Sequence, residues 1–179
     1  MRPMIILAAT ALMLGSMSAA QAQQFGFQVS NGLTLEQVVV TQESASAASH
    51  GGSGDSSSSA VIAQGGTGNS AVSSITGSLN SGTLVLQQGN ANTTVAVIQN
   101  SPGSAIAQAQ LGSNNYSAAA IVGGSENGIA SAQIGNNLSN SVALVDSVGT
   151  KVVYGQAGQG YSGGIVVRNA PRGTVVRLN

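Results

Sequence analysis

Ser104-Ala-Ile-Ala-Gln-Ala-Gln110-Leu-Gly112-Ser-Asn-Asn115 is one copy of a pattern that recurs along the chain. Gln64, Gln87, Gln110, Gln133 and Gln156 follow one another at 23-residue intervals without a gap. A glycine stands two residues after each: Gly66, Gly89, Gly112, Gly135 and Gly158. Six residues before each glutamine is a small hydrogen-bonding residue: Ser58, Ser81, Ser104, Asn127 or Thr150. Five residues after come Asn69, Asn92 and Asn115, then Leu138 and Tyr161, where this column decays. Eleven residues after sits an aliphatic: Ile75, Ile98, Ile121, Leu144 or Val167. A strict period of this size, held through five units, is the mark of a stacked repeat architecture.

Each unit reads as two short strands joined by turns. The first strand runs from the Ser position to the Gln position and the second from the Asn position to the aliphatic position. Gly, Asn and Ser crowd the stretches between them, as tight turns with positive φ require. Strand side chains alternate between faces. One face of the third unit is therefore Ser104, Ile106, Gln108 and Gln110, continuing with Asn115, Ser117, Ala119 and Ile121, and the equivalent columns hold no charge in any unit. If each unit is one level of a stack, equivalent residues lie ~4.8 Å apart. A carboxamide carries donors and acceptors, so the five glutamines can bond each to the next as a ladder in the core. A buried amide left unpaired costs about 1–3 kcal/mol, which demands strict register. The same reasoning predicts a shorter asparagine ladder. The fold expected is all-β, a β-solenoid of about five stacked 23-residue strand-turn-strand repeats.

Ser-x5-Gln-x-Gly-x2-Asn resembles the repeat of the curlins, the subunits of curli-type bacterial amyloid fibres. Ser58 to Asn69, Ser81 to Asn92 and Ser104 to Asn115 fit it in full, and the last two units fit with Asn127 or Thr150 for Ser and without the Asn. The likeness covers residues 58–172 as units 58–80, 81–103, 104–126, 127–149 and 150–172. The family's second glutamine should fall at Ile75, Ile98, Ile121, Leu144 and Val167, so an aliphatic stack replaces one of its two ladders. Such a stack still packs well. The resemblance implies a secreted structural subunit of extracellular fibres, serving biofilm matrix, surface adhesion and cell aggregation. It also implies a second curlin-like subunit and an outer-membrane secretion pore as partners.

Residues 1–22 read as a secretory signal peptide. Arg2 supplies the positive start, Ile5 to Leu14 the apolar run and Ala20-Gln-Ala22 the small-x-small cleavage site, and the run is too short to span a membrane. In residues 23–43, Leu33 to Gln42 has strand character and can pair onto the first unit. By resemblance this segment addresses the subunit to its pore; a cap over the open sheet edge is the competing reading. Residues 44–57 are Ser/Gly-rich and read as a flexible linker, within which His50 has no partner for metal binding or catalysis. Pro102 falls in a turn. The tail 173–179 reads as half of a sixth unit, with Val175 as a core aliphatic and Asn179 at the next Gln position.

After leader removal Glu36, Glu43, Asp55, Glu126 and Asp146 all precede residue 150, whereas Lys151, Arg168, Arg172 and Arg177 all follow it. The asymmetry fits either ordinary solubilising charge or complementary ends that favour head-to-tail stacking. The basic ending resembles the degenerate last unit of the minor, fibre-nucleating curlin more than the major subunit, and which of the two the chain represents stays open. Chemistry for catalysis is sparse. The five carboxylates do not converge, there is no Cys, and the only histidine stands alone. The expectation is no enzyme, no cofactor, no metal and no nucleic-acid partner, with secretion through the periplasm to the cell surface. The alternative from another class is a monomeric secreted β-solenoid that binds polysaccharide or ice. That reading requires a regular outward row of Thr or aromatics, and the column Ala63, Leu86, Ala109, Ala132 and Gly155 has none.

Overall fold

The computed structural model describes residues 10–12, 35–42, 46–51 and 58–179. All of its regular structure is β: β1 (Thr10–Leu12), β2 (Leu35–Gln42), β3 (Ser46–Gly51), β4 (Ser59–Thr67), β5 (Asn69–Thr76), β6 (Gly82–Asn90), β7 (Thr93–Gln99), β8 (Ala105–Ser113), β9 (Tyr116–Ser125), β10 (Gly128–Asn136), β11 (Ser139–Val148), β12 (Lys151–Gln159), β13 (Ser162–Arg168) and β14 (Val175–Leu178). The first strand of every unit joins one sheet, in the order β1-β3-β4-β6-β8-β10-β12-β14. The second strand joins a facing sheet, in the order β13-β11-β9-β7-β5-β2. From β4 to β13 each strand pairs in parallel with its equivalent 23 residues away, as in Gln87↔Gln110 and Ile98↔Ile121. The chain is thus a β-solenoid of five coils, as the period predicts.

The alternation read from the sequence holds residue by residue in the third coil: Ser104, Ile106, Gln108, Gln110, Asn115, Ser117, Ala119 and Ile121 are all buried. The aliphatic column is buried at Ile75, Ile98, Ile121 and Leu144, and partly buried at Val167, which no following strand among the described residues covers. Between the sheets the core is thin, built of Ala, Val and Ile with a single layer of polar columns beside them. Parallel pairing of buried strands usually needs helical crossovers. Here short arcs suffice because each strand returns to its own sheet only after a full coil. The arcs recur in left-handed conformation at fixed positions, for instance Gly77, Asn100, Gly123, Asp146 and Asn169, with φ between 49° and 70°. These are the residue types that tolerate it. Backbone bonds continue between arcs, as from Gly103 N–H to Leu79 O at 2.9 Å.

Two expectations need correction. Within the stretch read as a flexible linker, Ser46–Gly51 forms a strand antiparallel to β4, with Gly51↔Ser59 and Ala48↔Ile62 in register. The first coil leaves a row of backbone groups at its edge, and the backbone of Ser46–Gly51 pairs with them. The remainder of the linker and the leader cleavage site lie outside the described residues. The tail also departs from the 23-residue period. Lys151 pairs with Val175 and Val152 with Val176, a spacing of 24, because the turn before β14 holds one extra residue and Gly173 takes the left-handed position (φ 89°). Val175 is therefore 56% exposed and Val176 faces the core, so Asn179 does not reach the Gln position. The physical reason is Arg177. On the strict period it would stand in the inward column of Tyr154, and the slip places it opposite Val153 on the outer face. Burying an unpaired guanidinium would cost several kcal/mol.

β2 pairs along its whole length with β5, antiparallel, from Leu35↔Thr76 to Gln42↔Asn69. The strand expected at residues 33–42 is therefore present over Leu35–Gln42, and it covers the edge of the second sheet.

Candidate polymerisation core: stacked amides and glycines

The glutamine column forms the expected ladder. Gln64 Nε2 donates to Gln87 Oε1. Gln87 then donates to Gln110 at 2.8 Å, Gln110 to Gln133 at 2.8 Å and Gln133 to Gln156 at 2.9 Å. The Nε2 groups of Gln87, Gln110, Gln133 and Gln156 also donate to the facing sheet, to the carbonyls of Ser70, Thr93, Tyr116 and Ser139 at 2.9–3.1 Å. Gln87, Gln110 and Gln133 thus each tie their coil to the next and one sheet to the other. The ladder has a direction. At its N-terminal end Gln64 Oε1 is buried with no partner among the described residues. At its C-terminal end the Gln156 amide also donates to Tyr154 OH at 3.3 Å.

The asparagine column works differently from the amide-to-amide ladder expected. Asn69 Oδ1 accepts from the backbone N–H of Asn92 (3.0 Å), and Asn92 Oδ1 from that of Asn115 (3.1 Å). Their Nδ2 groups donate to the carbonyls of Gly89 and Gly112, both at 2.8 Å. Each Asn is a clamp on the turn of the following coil. The shorter side chain reaches arc backbone that would otherwise be buried unpaired. Leu138 keeps its place because its N–H still finds Asn115 Oδ1 at 3.0 Å. Tyr161 leaves the column altogether and is 59% exposed.

The glycine column follows from this close stacking. A Cβ on Gly66, Gly89, Gly112 or Gly135 would overlap the carbonyl oxygen of the glycine in the next coil. All four have φ between 105° and 140°. Gly158 ends the column under Tyr161, whose ring carbon Cε2 would lie 2.8 Å from an added Cβ.

The opposite arc carries a column that the Gln-centred reading missed. Ser78 Oγ accepts from Ser101 N–H (2.9 Å), and Ser147 Oγ from Ala170 N–H (3.2 Å). Beside it Ser58, Ser81 and Ser104 accept from the backbone N–H of Ser81, Ser104 and Asn127 at 3.0–3.3 Å. The signal was present as Ser-x2-Ser in two successive units, Ser78/Ser81 and Ser101/Ser104. The two arcs therefore do the same work with Ser on one side and Asn on the other.

A second polar group in the core occupies two columns, Gln108 with Ser131 and Ser117 with Asn140, each pair one period apart. Gln108 Nε2 donates to Ser117 Oγ (2.8 Å) and Asn140 Nδ2 to Ser131 Oγ (2.6 Å), while Gln108 Oε1 and Asn140 Oδ1 have no partner among the described residues. In the positions equivalent to Gln108 in the first two coils stand Ile62 and Val85, both buried. Gln108→Val removes an unsatisfied acceptor and restores the apolar column. It is expected to raise the unfolding free energy by about 1 kcal/mol, measured by urea denaturation of the monomer.

The basic residues do not converge on one patch. Lys151 opens β12 and Arg177 lies in β14, on the outer face of the first sheet; Arg168 closes β13 on the second sheet, and Arg172 is on the arc between β13 and β14. Arg172 is already paired within the chain, its Nη1 lying 2.7 Å from Glu126 Oε2 two coils back. Both side chains are more than half exposed. Glu126→Gln is expected to change stability by less than about 1 kcal/mol at low salt, and by nothing measurable at high salt. Among the described residues no group of three or more His, Asp or Glu could hold a metal, and no helix is long and apolar enough to cross a membrane.

Scans against protein-family models, curated proteins and solved structures each returned no match.

Proposed function

We propose that the chain is a curlin-like structural subunit, exported through the periplasm and polymerised end to end into extracellular amyloid-like fibres for biofilm matrix, adhesion and cell aggregation. The observation that carries the reading is the in-register glutamine ladder in a parallel solenoid in which β13 and β14 stand at the sheet edges. A stack in which each coil templates the next has no internal reason to stop at the fifth. At that end Tyr154, Ile165, Val167 and Val176 are only partly buried, in columns that are buried in the preceding coils. An open parallel edge over partly exposed apolar columns favours addition of a further strand. Outward Leu84 (40% exposed) and Leu86 (44%) add an uncharged face on which filaments can bundle laterally. A second curlin-like subunit and an outer-membrane pore are the partners this reading requires. The basic ending leans toward the nucleating role.

Mature chain from residue 23 onward, diluted from denaturant and followed by amyloid-dye fluorescence, is expected to form fibres without a seed. A rise without lag agrees with a nucleator. A chain that stays soluble, β-rich and monomeric for days would overturn the fibre reading in favour of a binding solenoid.

A further inference from the structure

The two ends of the solenoid are stepped, and the steps are complementary. At the C-terminal end the first sheet runs one strand further than the second: β14 lies beyond β12, while no strand among the described residues stands beyond β13. At the N-terminal end β2 stands on β5 in the second sheet, and β3 stands on β4 in the first, with the three-residue β1, from the stretch read as a leader, on the outer edge of β3. The two N-terminal strands are unequal covers. β2 spans all eight residues of β5, whereas β3 reaches only Ser59–Gln64 of the nine-residue β4. β3 is also antiparallel on an edge that, in each later coil of that sheet, receives a parallel strand. Behind it, Gln64 Oε1 is 4% exposed with its residue and unpartnered among the described residues.

We infer that β4 is the docking edge for the C-terminal half-coil of a second copy of this chain, with β3 a temporary occupant that β14 displaces. β14 continues β12 in parallel. By the same pattern Val175–Leu178 fits beside Ser59–Ile62, the residues that β3 now holds. With β3 gone, the N-terminal end of one copy has its second sheet one strand ahead, through β2. The C-terminal end of the other has its first sheet one strand ahead, through β14. The ends then close as a lap joint, in which β14 of one copy meets β4 and β2 meets the free edge of β13. The joint is a single level built half from each chain, and it covers the partly exposed Ile165, Val167 and Val176. Because both strands of that level come from segments that deviate from the repeat, copies join only end to end and in one polarity. The inference rests on the polymer reading above and specifies its junction.

The chain has no cysteine, so a single engineered pair can lock β3 in place. Ala47 and Ala63 are opposite one another in register, within the Cα separation of about 4.5–5.5 Å that a disulfide spans. The double variant Ala47→Cys/Ala63→Cys, followed by light scattering and pelleting, is expected to assemble at least tenfold more slowly when oxidised than when reduced. Val176→Asp, which places a carboxylate on the core side of β14, is expected to slow assembly of an otherwise folded chain by a similar factor. Equal rates in the oxidised and reduced double variant overturn the docking edge. Slowing by the lock but not by Val176→Asp overturns β14 as the docking strand. Absence of assembly in the reduced double variant and in the unaltered chain alike overturns the polymer reading itself, and the junction with it.

Discussion

Gly112→Ala is expected to destabilise the monomer by about 3–5 kcal/mol and to abolish regular assembly. Two effects act together. At φ 121° an L-residue is strained, which costs of order 1–3 kcal/mol. The added methyl would also lie 2.7 Å from the Gly135 carbonyl carbon and overlap its oxygen. The next coil cannot yield without losing the bond from Asn115 Nδ2 to that same oxygen, 2.8 Å long. The neighbouring coils must part at this arc, and the ladder beside it then loses its register. Gly82→Ala is the internal control. Its Cβ would meet nothing closer than the Ser59 atoms at 3.7 Å, and the change should stay within about 0.5 kcal/mol. Urea unfolding of both variants checks the contrast, and similar destabilisation by the two would refute the steric account of the glycine column.

Gln110→Leu is expected to cost about 2–5 kcal/mol, although leucine is close in size and more apolar. Gln110 is 1% exposed and sits mid-ladder. Its loss leaves Gln133 Oε1 without the donor it had at 2.8 Å and Thr94 Oγ1 without the acceptor it had at 2.7 Å. Two orphaned buried groups at about 1–3 kcal/mol each outweigh the better transfer free energy of the leucine. Two residues earlier in the same strand, Gln108 is expected to respond in the opposite sense, because its acceptor is unsatisfied to begin with. The pair separates two explanations of a polar core. If burial of any amide were simply unfavourable, both substitutions would stabilise. If the ladder holds the coils together, only Gln108→Val will.

Much of this was legible in the sequence because a solenoid turns sequence period directly into spatial neighbourhood. Once Gln64 through Gln156 keep one interval, their stacking, the facing aliphatic column and the in-out alternation follow from strand geometry alone. What escaped lies where a residue's partner is backbone or where the period breaks. The asparagines look like a second amide ladder in sequence, but their reach is to arc N–H and C=O groups, which have no sequence signature. The Gln108, Ser117, Ser131 and Asn140 cluster lies on two facing columns whose residue type changes from coil to coil, so its bonds across the sheets leave no repeated letter to read. The tail illustrates a competition. Val175 and Val176 are equally suited to the core, so the aliphatic pattern could not fix the register; the side chain that decides is Arg177, which must remain outside. Strand β3 was hidden by its Ser and Ala composition, since it is called for by the exposed edge of β4 rather than by its own propensity.

Mass per unit length of unstained fibres, measured by scanning transmission electron microscopy, tests the central claim most directly. In the proposed joint, the five coils plus one level shared by β14 and β2 would give six strand levels per subunit, or one chain for about 29 Å of fibre at ~4.8 Å per level. A filament with one chain in that length, showing a ~4.8 Å meridional reflection in diffraction, is the result predicted for solenoids joined end to end. One chain for every ~4.8 Å would mean that each molecule unfolds into a single flat layer, and would contradict the account.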